Sequence, residues 1–90
     1  MKISQKKREK ISEQILAYLF SVSPQPKFTA HIAREIARDE EFIKSLLIDL
    51  KAKKLVVEIN KNPKGIQYKR RARWKLSDSS YQAYKSQQYL

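Results

Sequence analysis

The spacing of apolar residues changes from helical to alternating after Lys54, and this change limits the folds that the 90-residue chain can adopt. Upstream of Lys54, apolar residues recur every three or four positions, which places them on one face of an α-helix. Downstream, Leu55, Val57 and Ile59 alternate with the residues between them, which is the period of a β-strand. The pattern therefore predicts helices followed by strands.

The first predicted helix is marked by an apolar stripe at helical spacing, formed by Ile11, Ile15, Tyr18, Leu19 and Val22. Pro24 and Pro26 end this helix and keep the chain extended as far as residue 28. The start of the helix is open between two alternatives. Either Ser4 caps it, or residues 1–10 form a loose basic arm, because cations are unfavourable at a helix N-terminus.

Two shorter helices are predicted next, joined by a turn at Arg38 and Asp39. Thr29 is the predicted N-cap of the second helix. Asp39 is the predicted N-cap of the third, and Glu40 and Glu41 follow it with the charge that suits a helix N-terminus. The buried stripe of the third helix is predicted to consist of Ile43, Leu46, Leu47 and Leu50.

A β-hairpin is predicted after the third helix, with its turn at residues 62–65, Asn-Pro-Lys-Gly. On one side of its second strand every residue is basic, namely Lys69, Arg71, Arg73 and Lys75. On the other side Trp74 is expected to anchor the core, with base stacking as the less favoured role. Ser77 is the predicted cap of a last helix that carries Tyr81 and Tyr84.

The charge of the chain is both large and local. The 20 Lys and Arg residues exceed the 9 Asp and Glu residues, for a net charge of +11. Between Lys51 and Lys75 there are ten basic residues and one acidic residue, Glu58, so this segment carries +9 and the rest of the chain +2. Such a concentration predicts a polyanionic partner.

The predicted order α-α-α-β-β-α resembles the winged helix-turn-helix family, in its small single-domain prokaryotic and archaeal form. Residues 28 to 77 carry the resemblance, through Phe28-Thr29-Ala30-His31-Ile32-Ala33, the third helix as far as Val56, the hairpin, and Trp74-Lys75-Leu76-Ser77. The resemblance implies an α+β winged-helix fold: a three-helix bundle with a helix-turn-helix, an antiparallel wing of two or three strands, and a C-terminal helix. It also implies that the second helix of the motif enters the DNA major groove while the hairpin reaches the backbone or minor groove.

The expected organisation is a single domain over residues 1–90. The helix-turn-helix is expected at 29–53, the wing at 55–76 and the C-terminal helix at 77–90. The resemblance implies a homodimer formed through the terminal helices. Tyr81 and Tyr84 are expected to pack either on the first helix of the same chain or on a symmetry mate, and the symmetry mate is favoured.

The residues predicted to bind DNA fall in two groups. On the exposed face of the third helix, Lys44 and Lys51 are expected to reach phosphate or guanine. Ser45 is expected to hydrogen-bond either of these groups, and Ile48 is expected to contact a thymine methyl. On the hairpin the strand cations repeat at about 6.6 to 7 Å, near the spacing of phosphates. The hairpin group consists of Lys61, Lys64, Lys69, Arg71, Arg73 and Lys75.

Three features depart from the family pattern. Lys54 stands where Gly usually ends the recognition helix in a left-handed conformation, so strain is expected there. Glu40 and Glu41 lie at the helix end that would approach phosphates, and they are interpreted as serving the helix dipole. The exposed face has no Arg, Asn or Gln, so we predict duplex binding that depends mainly on phosphate contacts.

Other functional classes lack support in the sequence. There is no Cys and only one His, His31, so no zinc site, nucleophile or acid–base pair is predicted. We expect no enzymatic activity, no cofactor, no metal and no membrane segment, and a cytoplasmic protein whose partner is double-stranded DNA. Two alternatives stay open: an RNA-binding module of the translation machinery, and a winged-helix protein-interaction module.

Overall fold

A computed structural model describes residues 4–59 and 72–87 of the chain. Within these residues the helices are α1 (Gln5–Val22), α2 (Thr29–Ile36), α3 (Glu40–Ala52) and α4 (Asp78–Gln87). The strands are β1 (Lys27–Phe28), β2 (Val56–Ile59) and β3 (Arg73–Leu76). The predicted α+β class and the predicted order of elements are confirmed, and β1 adds a short third strand. None of the described helices is both long and apolar enough to cross a membrane.

Helix α1 begins directly after Ser4, whose Oγ accepts a hydrogen bond from the Lys7 N–H at 3.2 Å. Of the two alternatives for this end, the capped helix is the one observed, and the loose arm is wrong for residues 5–10. The physical reason is packing. The stripe of α1 that is buried in the core stabilises the helix by more than the fraction of a kcal/mol, about 0.3–1, that cations cost at its N-terminus. That stripe consists of Ile11, Ile15, Leu16 and Leu19.

Helix α2 does not begin as predicted. Thr29 is its first residue and Phe28 is its N-cap, without a side-chain hydrogen bond. The Thr29 hydroxyl instead accepts a hydrogen bond from the Trp74 indole N–H, with 2.8 Å between Nε1 and Oγ1. The expected cap is therefore wrong, because the hydroxyl satisfies a buried donor from β3.

Helix α3 begins and ends as its sequence predicts. The Asp39 carboxylate accepts a hydrogen bond from the Phe42 N–H at 3.1 Å, and Glu40 and Glu41 occupy the first turn. Its predicted apolar stripe is buried at all four positions. Lys54 has a φ of 63°, the left-handed conformation expected there, and Ala37 takes the same conformation after α2, with a φ of 61°.

The sheet has the order β1-β3-β2 and is antiparallel throughout. Val56 lies opposite Leu76 on the face that packs against the helices, and both are buried. Val57 lies opposite Lys75 on the other face and is 38% exposed. Trp74 is 1% exposed, so its predicted role as a core anchor is confirmed and no ring face is left for a base.

Helix α4 packs on α1 through aromatic rings. Ser77 caps it as predicted, since its Oγ accepts the Ser80 N–H at 3.2 Å. The rings of Tyr81 and Tyr84 each lie 5.5 Å from the ring of Phe20, centroid to centroid. Tyr81 and Tyr84 therefore pack on the first helix of the same chain, which was the less favoured of the two predicted alternatives. Burial raises the pKa of Tyr84, and the nearby Glu13 carboxylate raises it further.

Candidate nucleic-acid interface

The exposed face of α3 is set by the face that the helix buries. Residues three and four apart share a helix face, so the stripe opposite the core contains Glu41, Ser45, Ile48 and Ala52, all of them exposed. Lys44 is exposed at the side of this stripe. Three predicted DNA-binding residues, Lys44, Ser45 and Ile48, therefore lie together on one solvent-facing surface.

Lys51, the fourth predicted residue of α3, is turned toward the sheet. Its Nζ lies 2.8 Å from Glu58 Oε1, and the two side chains are 52% and 25% exposed. The pair connects the last turn of α3 to β2 and partly compensates the Lys51 charge. Because an exposed ion pair contributes only about 0–1 kcal/mol, a phosphate can replace Glu58 at little cost.

The opposite side of the α3 stripe is closed by α1. Arg8 Nη2 donates to Asp49 Oδ2 at 2.9 Å, and its guanidinium lies 5.6 Å from the centroid of the Phe42 ring. Sequence reasoning missed this contact, because 41 residues separate the partners and no local pattern joins them. The stripe of α3 is thus flanked by an ion pair on each side, Lys51 with Glu58 toward the sheet and Arg8 with Asp49 toward α1.

A groove of about 330 Å³ lies between α2 and α3 beside the same surface. Lys44 lines it together with His31 and Arg34, which the sequence analysis did not assign to the site. The His31 ring makes an edge contact with Phe28 at 5.7 Å between centroids. Arg34 could not have been found from the sequence, since the angle at which α2 crosses α3 decides whether it lines the same groove as Lys44.

The strand cations lie on a second surface. Arg73 is opposite Phe28 and Ile59, and Lys75 is opposite Val57, so both are on the sheet face that points away from the buried Trp74 and Leu76. Both are partly exposed. The predicted residues Lys61, Lys64, Lys69 and Arg71, and the predicted turn at 62–65, lie outside the described residues.

The hydroxyl of Ser45 already uses its hydrogen-bond donor within α3. Its hydroxyl donates to the Phe42 carbonyl at 2.6 Å. The remaining lone pairs of the oxygen face solvent and can accept a hydrogen bond. In this rotamer Ser45 suits an amino group on a base edge better than it suits a phosphate.

Comparison with known proteins shows similarity in structure only. No protein-family model matches the chain, and no curated protein matches it by sequence. MepR of Staphylococcus aureus in complex with DNA superposes with a TM-score of 0.73 at 19% identity, over 93% of this chain and 66% of MepR. A variant of ZitR from Lactococcus lactis superposes with a TM-score of 0.69 at 18% identity, over 99% of this chain and 56% of ZitR. The apo-Zalpha of zebrafish PKZ superposes with a TM-score of 0.64 at 19% identity, over 80% of this chain and 98% of that one.

These similarities show the fold. This chain spans between about half and two thirds of the length of MepR and ZitR. The three-helix core, the antiparallel sheet and the α2–α3 turn have the arrangement that the resemblance implied. The predicted winged-helix architecture is confirmed.

Proposed function

We propose that this winged-helix chain binds double-stranded DNA through α3 and the β2–β3 hairpin, as a transcription regulator or a less selective chromosomal protein. The observation that carries the proposal is the solvent-facing surface of α3, with Lys44, Ser45 and Ile48 opposite a fully buried stripe. The net charge of +11 supports a polyanionic partner. The fold is shared with MepR, which is a transcription regulator and has been crystallised with DNA.

The proposed binding mode places α3 in the major groove, which is wide enough to admit an α-helix. Lys44 and Lys51 then face one phosphate strand, and the strand cations Arg73 and Lys75 hold the adjacent backbone. Glu40 and Glu41 occupy the first turn of α3, where the helix dipole favours carboxylates. They disfavour a mode in which this helix end points at a phosphate.

The first test is the dependence of affinity on salt. If about four to seven phosphates are contacted, log affinity falls with log salt at a slope of roughly −4 to −6. Fluorescence anisotropy of a labelled duplex, measured with the full chain over a range of salt concentrations, gives the slope. A slope near zero contradicts the proposal.

The second test removes the hairpin cations. Changing Lys69, Arg71 and Arg73 together to Ala lowers affinity and makes the slope about 2 to 3 shallower, since each cation releases about one counterion. The matched control changes three cations of α1 and α4 to Ala, namely Lys6, Lys10 and Lys85, which are exposed outside the proposed surface. A control with the same loss as the hairpin variant contradicts a local binding site.

A second candidate function is binding of duplex RNA. It is favoured by one observation, the absence of Arg, Asn and Gln from the exposed face of α3, because binding through the backbone alone does not require DNA. Competition between duplex DNA and duplex RNA of the same length and sequence separates the two. If RNA displaces a labelled duplex from the protein at a lower concentration than DNA does, RNA binding is supported over DNA binding.

The proposal includes a homodimer formed through α1 and α4, a non-enzymatic role and a cytoplasmic location. Tyr81 and Tyr84 are only half-buried against Phe20, which leaves part of each ring for a partner. Incubation of the bound duplex with Mg²⁺ tests the absence of nuclease activity. Intact DNA on a denaturing gel is the expected result.

A further inference from the structure

Ile48 is an apolar side chain that the fold does not use. It is 51% exposed, the largest exposed fraction for a large hydrophobic side chain in the described part of the molecule. Its neighbours Leu47 and Leu50 belong to the core, so Ile48 points away from it. A β-branched residue also costs a few tenths of a kcal/mol, about 0.4, relative to Ala on an exposed helix surface. Neither packing nor helix propensity therefore explains its presence.

The charges around Ile48 are arranged at the sides of the stripe. Lys51 is paired with Glu58 on the sheet side, and Asp49 is paired with Arg8 on the α1 side. The stripe itself has Ser45 one turn before Ile48 and Ala52 one turn after it. In a groove, side charges meet the phosphates and the centre of the helix meets the base edges. Ile48 is the largest side chain in the uncharged part of that centre.

We propose that Ile48 determines base specificity by packing on the 5-methyl group of a thymine in the major groove. This inference rests on the proposed function and deepens it. Thymine is the base that presents an apolar group in the major groove, whereas the other three present only donors and acceptors. Cytosine at the same position presents an amino group, which Ile48 desolvates without giving it a partner.

The experiment removes only the methyl group. Tight-binding duplexes are first selected from a random pool with the full chain. Each thymine of the selected site is then replaced in turn by deoxyuridine, which pairs in the same way but lacks the methyl. We expect a loss of about three- to tenfold in affinity at one or two thymines, the value of one buried methyl group.

The variant Ile48→Ala assigns the effect to this side chain. It is expected to bind the thymine and deoxyuridine duplexes equally, and its exposed position predicts an unchanged thermal unfolding midpoint. The matched control is Val57→Ala, which truncates the second exposed large hydrophobic of the described residues, 38% exposed on the outer sheet face. This control is expected to retain the full difference between thymine and deoxyuridine. Replacing a cytosine at the mapped position by 5-methylcytosine is expected to raise affinity for the wild-type chain alone, and to less than the thymine level because the amino group of the base remains.

Three outcomes overturn the inference. The first is that the chain binds duplex DNA but loses no affinity at any deoxyuridine. The second is that the random pool yields no enriched sequence. The third is that the loss of affinity at deoxyuridine is as large in Ile48→Ala as in the wild type. In each of these cases DNA binding itself stands and Ile48 is better explained as a contact for a protein partner. Absence of binding to any duplex overturns the proposed function and the inference together.

Discussion

The Thr29 hydroxyl shows how one buried donor outweighs a local preference. Thr is a favoured N-cap, and substitution of a cap costs about 1 kcal/mol. A buried N–H without an acceptor costs about 1–3 kcal/mol. Because the Trp74 indole is 1% exposed, its N–H needs a partner, and Thr29 supplies the acceptor. The hydroxyl is therefore used by the core and the helix begins without a side-chain cap.

Changing Thr29 to Val tests this assignment. The substitution keeps the shape of the side chain but removes the acceptor, and we expect the free energy of unfolding to fall by about 1–3 kcal/mol. Urea denaturation followed by Trp fluorescence measures it. The control Thr29→Ser retains the hydroxyl and is expected to lose less. Equal losses for the two variants would mean that the hydrogen bond contributes nothing.

Ala37 and Lys54 end helices in the left-handed conformation, although neither of them is Gly. A Cβ in this conformation costs about 1–2 kcal/mol, partly offset because Gly loses more entropy on folding. We expect Ala37→Gly to raise the free energy of unfolding by about 0.5–1 kcal/mol, seen as a higher thermal midpoint. Ala17→Gly, at an exposed position within α1, is the control and is expected to lower it. A lower thermal midpoint for both variants would contradict backbone strain at Ala37.

At the scale of elements, α3 is held at both ends by interactions that the sequence predicts. Asp39 accepts the Phe42 N–H at its start. After Ala52, the Leu55 N–H reaches the Leu50 carbonyl at 2.9 Å across the left-handed Lys54. The direction in which α3 presents its exposed face is thus fixed by local caps and by its buried stripe together.

Removing the cap should loosen this element. Asp39→Ala is expected to lower the free energy of unfolding by about 0.5–2 kcal/mol, because the first turn of α3 loses its acceptor. Asp39→Asn keeps an acceptor and loses the charge, so it separates capping from the dipole effect and is expected to stay near the wild type. Chemical denaturation monitored by circular dichroism compares the three proteins. Equal destabilisation by Ala and Asn would assign the effect to charge.

At the scale of the whole molecule, the proposed dimer surface is formed by α1 and α4 together. Exposed Ala17 and Ala83 lie beside Tyr84 in an open depression between the two helices. Small residues at this position allow a second copy to approach closely. This is the surface to which the proposed homodimer is assigned.

Sedimentation equilibrium tests the dimer. The wild-type chain is expected at about twice its monomer mass of 10.7 kDa. Ala83→Glu places a charge in the proposed contact and is expected to give a monomer with unchanged helical content. Ala30→Glu, an exposed position on α2, is the control and should leave the dimer intact. A wild-type monomer at all concentrations contradicts the dimer.

The sequence by itself determined the helical segments, the caps at Asp39 and Ser77, the buried stripe of α3 and the left-handed Lys54. These follow from interactions within a few residues, so a single chain segment carries all the information needed. The exposed positions of Lys44, Ser45 and Ile48 follow from the same stripe, because the face opposite a buried one is free.

Only the tertiary structure decided which face of β2 turns inward, where Thr29 bonds, and that Arg34 lines the same groove as Lys44. It also paired Lys51 with Glu58 and Arg8 with Asp49. Each of these depends on how elements cross in space. Alternation and helical period describe a segment relative to its own axis, and they carry no information about the angle and register at which a distant segment meets it.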